Sequence, residues 1–387
     1  MKSFRSYLPV DLHFGCGVLD DLATTPLPGK KALIVISAGK SMKANGILDR
    51  VVTLLKKNGV TSIVFDKIQP NPTKRHVEEG ARLVRDQECD FVIGLGGGSS
   101  IDSAKAIAVA ALYDGDYWDF VAGGSGKGMI PDRALPIIAI PTTAGTGTEA
   151  DPWTVITKEE TQEKIGAGWP VAFPKISLVD PELMVTVPPL LTAYQGFDAF
   201  FHAAEGFIAS IASPLSDLYA LESMHLIYHH LPRAVEDGSN IEARSAVALA
   251  STLSGMVETV SCCTSEHSLE HAMSAKAPQL PHGAGLIMIS EAYFSFFARS
   301  IPERCAQMAR GMLGRSDATE HDFLSALAAL KKKCHVDALK MSDYGFREED
   351  FAWLDQKARD TMGSLFLLDR VPLTSDDVIE IFRKSYR

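Results

Sequence analysis

The chain is written in two patterns, and the change between them near Val187-Pro188-Pro189 constrains the fold more than any other feature. Before it, short β-branched runs at residues 32–36, 62–65, 91–95 and 136–140 read as strands, and the amphipathic stretches 47–58 and 76–87 read as helices. Apolar runs without strict alternation suit strands buried on both faces, hence a parallel sheet under helices. The alternation of strand and helix predicts a doubly wound, Rossmann-like arrangement. After the prolines, long stretches of 3.6-residue period follow at 192–210, 214–230 and 241–260, and strand-like runs nearly vanish. The expectation is an α/β dinucleotide-binding domain over residues 1–187 and an all-helical domain over 188–387.

A length of 387 residues supports two separate cores. The net charge of −10 argues against non-specific nucleic-acid binding, and no apolar run reaches the roughly 18 residues needed to span a bilayer. The N-terminal stretch lacks the apolar centre of a signal peptide, so the expected compartment is the cytoplasm. None of the six cysteines forms a C-x-x-C pair, and this is no disulfide scaffold. Adjacent Cys262 and Cys263 are open to metal ligation, but read more simply as small residues beside a site.

Two loops carry phosphate-binding chemistry. After residues 91–95 comes Gly96-Gly97-Gly98-Ser99-Ser100-Ile101-Asp102, then an apolar helix-like run. A strand, three glycines and a helix start let backbone N–H groups approach a pyrophosphate without Cβ clashes. Ser99, Ser100 and Asp102 stand where they could also cap that helix. After residues 136–140, Pro141-Thr142-Thr143-Ala144-Gly145-Thr146-Gly147-Thr148-Glu149 offers hydroxyl and backbone donors at a second strand end.

The helical half carries a different constellation. Asp198 and His202 are four apart, and so are His267 and His271, which places each pair on one helix face. His282 follows between Pro281 and Gly283. One such pair is usually a surface pair. Two pairs and a Pro-His-Gly together predict a nitrogen and oxygen donor set for Fe(II), Zn(II) or Mn(II). His225, His229 and His230 also cluster, but read as structural or surface residues. Phe197, Phe200, Phe201 and Met256 have the spacing of core residues, although the same positions could line a pocket for a short aldehyde.

The combination of GGGSSID, PTTAGTGTEAD and Asp198-x-x-x-His202, with Phe14-Gly15-Cys16-Gly17 and Pro70-Asn71-Pro72-Thr73, resembles the iron-containing (group III) alcohol dehydrogenases of the dehydroquinate synthase-like superfamily. The motifs cover about the first three quarters of the chain, and beyond residue 300 only helical character is added. The resemblance implies a homodimer or larger homo-oligomer with a small alcohol or aldehyde as substrate, NAD or NADP as hydride carrier and Fe2+ (or Zn2+) as metal. It assigns Asp198, His202, His267 and His282 as metal ligands and His271 as a non-ligand histidine near the nicotinamide. Gly97, Gly98, Ser99 and Asp102 match the pyrophosphate loop, Thr142, Thr143 and Thr146 the second cofactor loop, and Asn71 and Lys164 further cofactor contacts. Ser37 stands where NAD-preferring members carry an Asp after a strand; without that carboxylate, and with Lys40 nearby, NADP should be better tolerated.

On this reading the metal acts as a Lewis acid, with His267 and His271 in the catalytic group. Two departures bear on substrate: Ser265-Glu266 before His267 is closer to a glycerol-phosphate dehydrogenase branch, and one extra residue separates His271 from His282. The alternatives are a glycerol or glycerol-phosphate dehydrogenase, a dehydroquinate synthase-type lyase, or a non-catalytic nucleotide- or metal-binding protein.

Overall fold

The computed structural model describes residues 3–386. Eight strands are present among them: β1 (Asp11–Phe14), β2 (Lys31–Ser37), β3 (Thr61–Ile68), β4 (Phe91–Gly96), β5 (Ile137–Pro141), β6 (Trp153–Lys158), β7 (Glu163–Gly168) and β8 (Ile176–Val179). Six form one sheet in the order β1-β8-β5-β4-β2-β3, with every pairing parallel. The expected runs fall on the inner strands β5, β4 and β2 and on the edge strand β3. The side chains of the inner strands are buried because helices cover the sheet, as the unalternating apolar pattern requires, whereas edge strand β3 is only partly buried. The short outer pair β1 and β8, and the separate antiparallel pair β6-β7, were not anticipated.

On one face, Leu19, Ile34, Val51, Leu55, Ile93 and Ile138 join a core closed by the helix Ile47–Lys57. The helix Gly98–Ala110 has a nearly all-buried surface. Its approach to β4 depends on Gly94, where an added Cβ would lie 2.7 Å from the Ile101 Cα. Polar contacts tie the same helix to the segment entering β6. The wholly buried Lys105 Nζ donates to Thr148 Oγ1 (2.7 Å), Asp151 Oδ1 (2.9 Å) and the carbonyls of Asp151 (2.8 Å) and Trp153 (2.9 Å). Asp102 accepts from Thr148 Oγ1 (2.8 Å) and the Val155 N–H (2.9 Å). The capping role expected for Ser99, Ser100 or Asp102 is therefore corrected: Gly97 is the cap residue, no side chain caps the helix, and Asp102 faces Thr148 and Val155.

By internal packing the chain falls into two units: an α/β unit of Leu8–Thr143 and Thr148–Val185, and a helical unit running from Thr186 onward with the loop Ala144–Gly147. In the helical unit, Pro189–Ile208, Pro214–Glu236 and Ile241–Val260 pack on one another, followed by Ser265–Lys276, His282–Ser300, Pro302–Leu313 and further helices to the C-terminal region. Their starts are written locally: Ser213, Asn240 and Thr319 accept from backbone N–H groups of the following first turns. Phe197, Phe200 and Phe201 are wholly buried, and Phe200 and Phe201 stack on Phe323 and Phe294. They build the core and line no substrate pocket; Met256 is half-buried. His225 Nδ1 and His229 Nε2 reach the carbonyls of Gly311 (3.1 Å) and Met312 (3.0 Å) at the C-terminal end of Pro302–Leu313, the structural role expected of them. Among the described residues no single helix is long and apolar enough to cross a membrane.

Gly94→Ala should lower stability by about 1–3 kcal/mol, because a methyl group must displace backbone at the β4–helix contact. Chemical denaturation would read this as a lower midpoint with an unchanged slope.

Candidate metal centre

Three helices of the helical unit deliver the donors. Asp198 and His202 lie one turn apart on Pro189–Ile208, His267 and His271 one turn apart on Ser265–Lys276, and His282 opens His282–Ser300. The Pro-His-Gly motif has a local reason. An added Cβ at Gly283 would lie 2.1 Å from the Tyr194 carbonyl oxygen, so the absence of a side chain lets His282 approach the Asp198 helix.

Asp198 Oδ1 is the hub. It lies 3.6 Å from His202 Nε2, 3.7 Å from His267 Nε2 and 3.3 Å from His282 Nε2. Asp198 Oδ1 and His267 Nε2 are nevertheless buried without a hydrogen-bond partner. Polar atoms that converge and stay unpaired in a dry interior are costly. A divalent cation among them removes the cost, and one carboxylate with three imidazoles fits Fe(II), Zn(II) or Mn(II). The side chain of His282 is 24% exposed against 6% for Asp198, so the group is open on the His282 side. A Lewis acid needs such an open position.

A carboxylate stands behind each imidazole. His267 Nδ1 bonds Glu205 and His282 Nδ1 bonds Glu270, both in very short contacts. His202 Nδ1 lies 3.6 Å from Glu258 Oε2. The Glu205 and Glu270 contacts orient the His267 and His282 rings and leave Nε2 of each facing Asp198, whereas His202 Nδ1 makes no hydrogen bond. Glu205 is itself fixed, accepting from the Thr264 N–H (2.8 Å) and hydroxyl (3.1 Å). Sequence reading missed all three glutamates. Their signal was faint: Glu205 and Glu270 each stand three residues after a ligand histidine.

The local charges agree with a site that demands a cation. Burial opposes charge on Asp198, yet His202 and His282 outweigh it and hold the carboxyl well below the usual range. Burial drives His202 down to about 3 against the pull of Asp198, keeping it a neutral donor. His267 is raised well above its ordinary value because Glu205 and Asp198 overcome its burial. A bound metal would take the place of that proton. Glu266 is driven well above the carboxylate range by burial and by the charge of Glu205. His271 is buried, with its ring centroid 5.3 Å from that of His282.

In the α/β unit, the other expected residues sit mostly at carboxyl ends of neighbouring strands. Ser37 ends β2, Gly97, Gly98 and Ser99 lead from β4 into its helix, and Thr142 and Thr143 follow β5. The Thr142 N–H donates to the Gly96 carbonyl (2.9 Å), joining two of the loops. The register brings Asn71 and Lys164 toward one place: the Thr157 N–H donates to the carbonyl of Pro72 (2.8 Å), and Thr157 faces Lys164 across β6-β7. Thr146 belongs to the loop Ala144–Gly147, held in the helical unit by a Gly147 N–H bond to Ser251 Oγ (3.2 Å).

A family model for iron-containing alcohol dehydrogenase matches residues 9–181, and one for the C-terminal part of the Fe-containing alcohol dehydrogenase family matches residues 192–386. The resemblance therefore runs through the last quarter as well, where motif reading found only helix. The chain is 34% identical to a choline dehydrogenase of Bacillus subtilis over 80% of its own length and 77% of the relative's. It is 32% identical to a 1,3-propanediol dehydrogenase of Citrobacter freundii over 93% of its length and 92% of the relative's. The crystal structure of an archaeal halo-thermophilic Red Sea brine pool alcohol dehydrogenase superposes with a TM-score of 0.94 at 34% identity, covering 100% of this chain and 99% of that one.

Glu205→Gln keeps the shape beside His267 and removes the charge. Metal affinity should fall about 10–100-fold, measured by competition with a chromophoric chelator. Unchanged affinity would mean that Glu205 does not tune the ligand.

Proposed function

The chain belongs to the iron-containing alcohol dehydrogenase family, and on that premise we propose that Asp198, His202, His267 and His282 hold its divalent metal, Fe2+ in the first instance. The chain is an NAD(P)-linked alcohol dehydrogenase, an oxidoreductase on CH–OH donors. The observation that carries the metal assignment is the single Asp198 oxygen facing three imidazole nitrogens, with no hydrogen bond to satisfy it.

Held by these four residues, a metal would supply Lewis-acid polarisation of the substrate oxygen, and a bound nicotinamide would supply the hydride chemistry. The protein does the rest. Glu205 and Glu270 orient the His267 and His282 imidazoles, and His282 leaves one side of the group open for substrate. His271, one turn beyond His267, holds or moves the proton of the substrate oxygen. The strand-end glycines Gly97 and Gly98, with Ser99, Thr142 and Thr143, cradle the pyrophosphate. Thr146, Asn71 and Lys164 contribute further contacts, and Asp102 braces the loop through Thr148 and Val155. Ser37 in place of a carboxylate supports use of NADP as well as NAD.

Choline and 1,3-propanediol, which name two relatives, are both primary alcohols, so we assign the substrate to short primary alcohols and their aldehydes. The relatives favour this over the glycerol and glycerol-phosphate readings. The relatives likewise disfavour the lyase, since they are alcohol and diol dehydrogenases. We place the chain in the cytoplasm, where its free cysteines stay reduced, and read it as a homodimer or larger homo-oligomer from the family.

The test is NADH and NADPH oxidation with short aldehydes, run anaerobically on chelator-stripped protein with Fe2+ or Zn2+ restored. Turnover should vanish with the metal and return with it; turnover that ignores metal would sink the ligand assignment. His267→Ala should lose metal and activity together. His271→Ala should keep its metal and lose turnover on the order of 10²–10⁴-fold. Equal metal loss in both variants would refute that division. Ser37→Asp should shift preference toward NADH, read as the ratio of kcat/KM for the two cofactors.

A further inference from the structure

Cys263 lies in the same small volume as the proposed ligands and has no part in the reading above. Its ligand atom and those of His202 and His267 all lie within 4.8 Å of one another, and all three residues are buried. A second observation points the same way. His202 Nδ1, on the ring edge opposite Asp198, is buried with no hydrogen-bond partner. Glu258 joins the two features: its Oε2 lies 3.6 Å from His202 Nδ1, and its Oε1 accepts from the Cys263 thiol at 3.0 Å.

We propose that His202, His267 and Cys263 form a second, sulfur-containing metal site that overlaps the Asp198 set and takes thiophilic divalent cations such as Zn2+ or Cd2+. The two sets share two histidines and differ in the third donor. Asp198 supplies a hard carboxylate oxygen, whereas Cys263 supplies a soft sulfur, so the metal's softness decides which is used. Coordination requires thiolate. As the metal–sulfur bond forms, the S–H bond breaks and the proton passes along the existing hydrogen bond to the Glu258 carboxylate, then to water. No oxidant or other reactant is needed. Because both sets need His202 and His267, zinc held through Cys263 is drawn from the geometry that faces Asp198. The chain then discriminates between iron and zinc by position as well as by affinity. Cys262, its sequence neighbour, is outside the group.

X-ray absorption on the full-length wild-type protein, loaded separately with Fe2+ and Zn2+, tests this without a variant. The zinc form should show one sulfur at about 2.3 Å beside nitrogen or oxygen at about 2.0–2.1 Å, and the iron form nitrogen and oxygen alone. A zinc form without sulfur overturns the proposal, and sulfur in both forms overturns the division into two sets. Co2+ titration then assigns the residue. The thiolate-to-metal charge-transfer band should persist in Cys262→Ser and be lost in Cys263→Ser; Ser can still donate to Glu258, and circular dichroism checks its fold. A band unchanged in Cys263→Ser refutes the site. Asp198→Asn separates this inference from the proposed function: it should lose Fe2+ yet keep the cobalt–thiolate band, and loss of the band with Asp198→Asn would show that no independent sulfur set exists.

Discussion

The helical unit is organised around a buried charge. Asp198 is buried and ionised, and what keeps it so is the convergence of His202, His267 and His282 on one of its oxygens. An isolated buried carboxylate would protonate instead. The His267 and His282 imidazoles are held in turn by Glu205 and Glu270 at their far edges, and Glu258 lies near the far edge of His202, so carboxylates surround the cluster of rings. Such an excess of carboxylate favours positive charge at the centre, as the raised His267 shows. The geometry of three helix contacts, including the side-chain-free approach at Gly283, is tied to that requirement.

The α/β unit solves a different problem. Its strand-end loops carry the residues expected to meet a cofactor, and the rigid polar contacts lie on the helix that follows one of them. Lys105 and Asp102 lie on the helix that starts at the glycine loop, and both bond the segment from Thr148 to Val155. The buried ammonium is acceptable because four oxygens surround it. The helix start itself has no side-chain cap, which leaves its N-terminus facing the place expected for a pyrophosphate.

Much of this was legible in the residues because one-dimensional patterns have local causes. Buried parallel strands such as β4 must be apolar on both faces, and Asp198-x-x-x-His202 shares a face because a helix turns every 3.6 residues. The illegible parts depend on partners distant in sequence. The four-residue strands β1 and β8 are too short to show a period; β1 forms by pairing with β8 over 160 residues away, and β8 also pairs with β5. Glu205 and Glu258 resemble solvated residues on amphipathic helices; only packing turns them toward His267 and His202. Asp102 was read as a cap from its place near the helix start, but position along a helix does not tell which way a carboxylate points once tertiary partners compete for it.

The placement of the donors also links metal to folding. They come from three helices separated by up to 84 residues between Asp198 and His282, so no unfolded segment can present the set. A cation bound by the native arrangement and poorly by the unfolded chain stabilises the former by mass action, by about 2.7 kcal/mol at 100 times Kd. The buried, unpaired atoms at the centre mean that the metal-free state also carries an unmet electrostatic demand. Both effects act on the same contacts, those between Pro189–Ile208, Ser265–Lys276 and His282–Ser300. The cluster is thus as much a part of the helical core as Phe197 or Phe201, and a metal held there would complete the packing of these three helices.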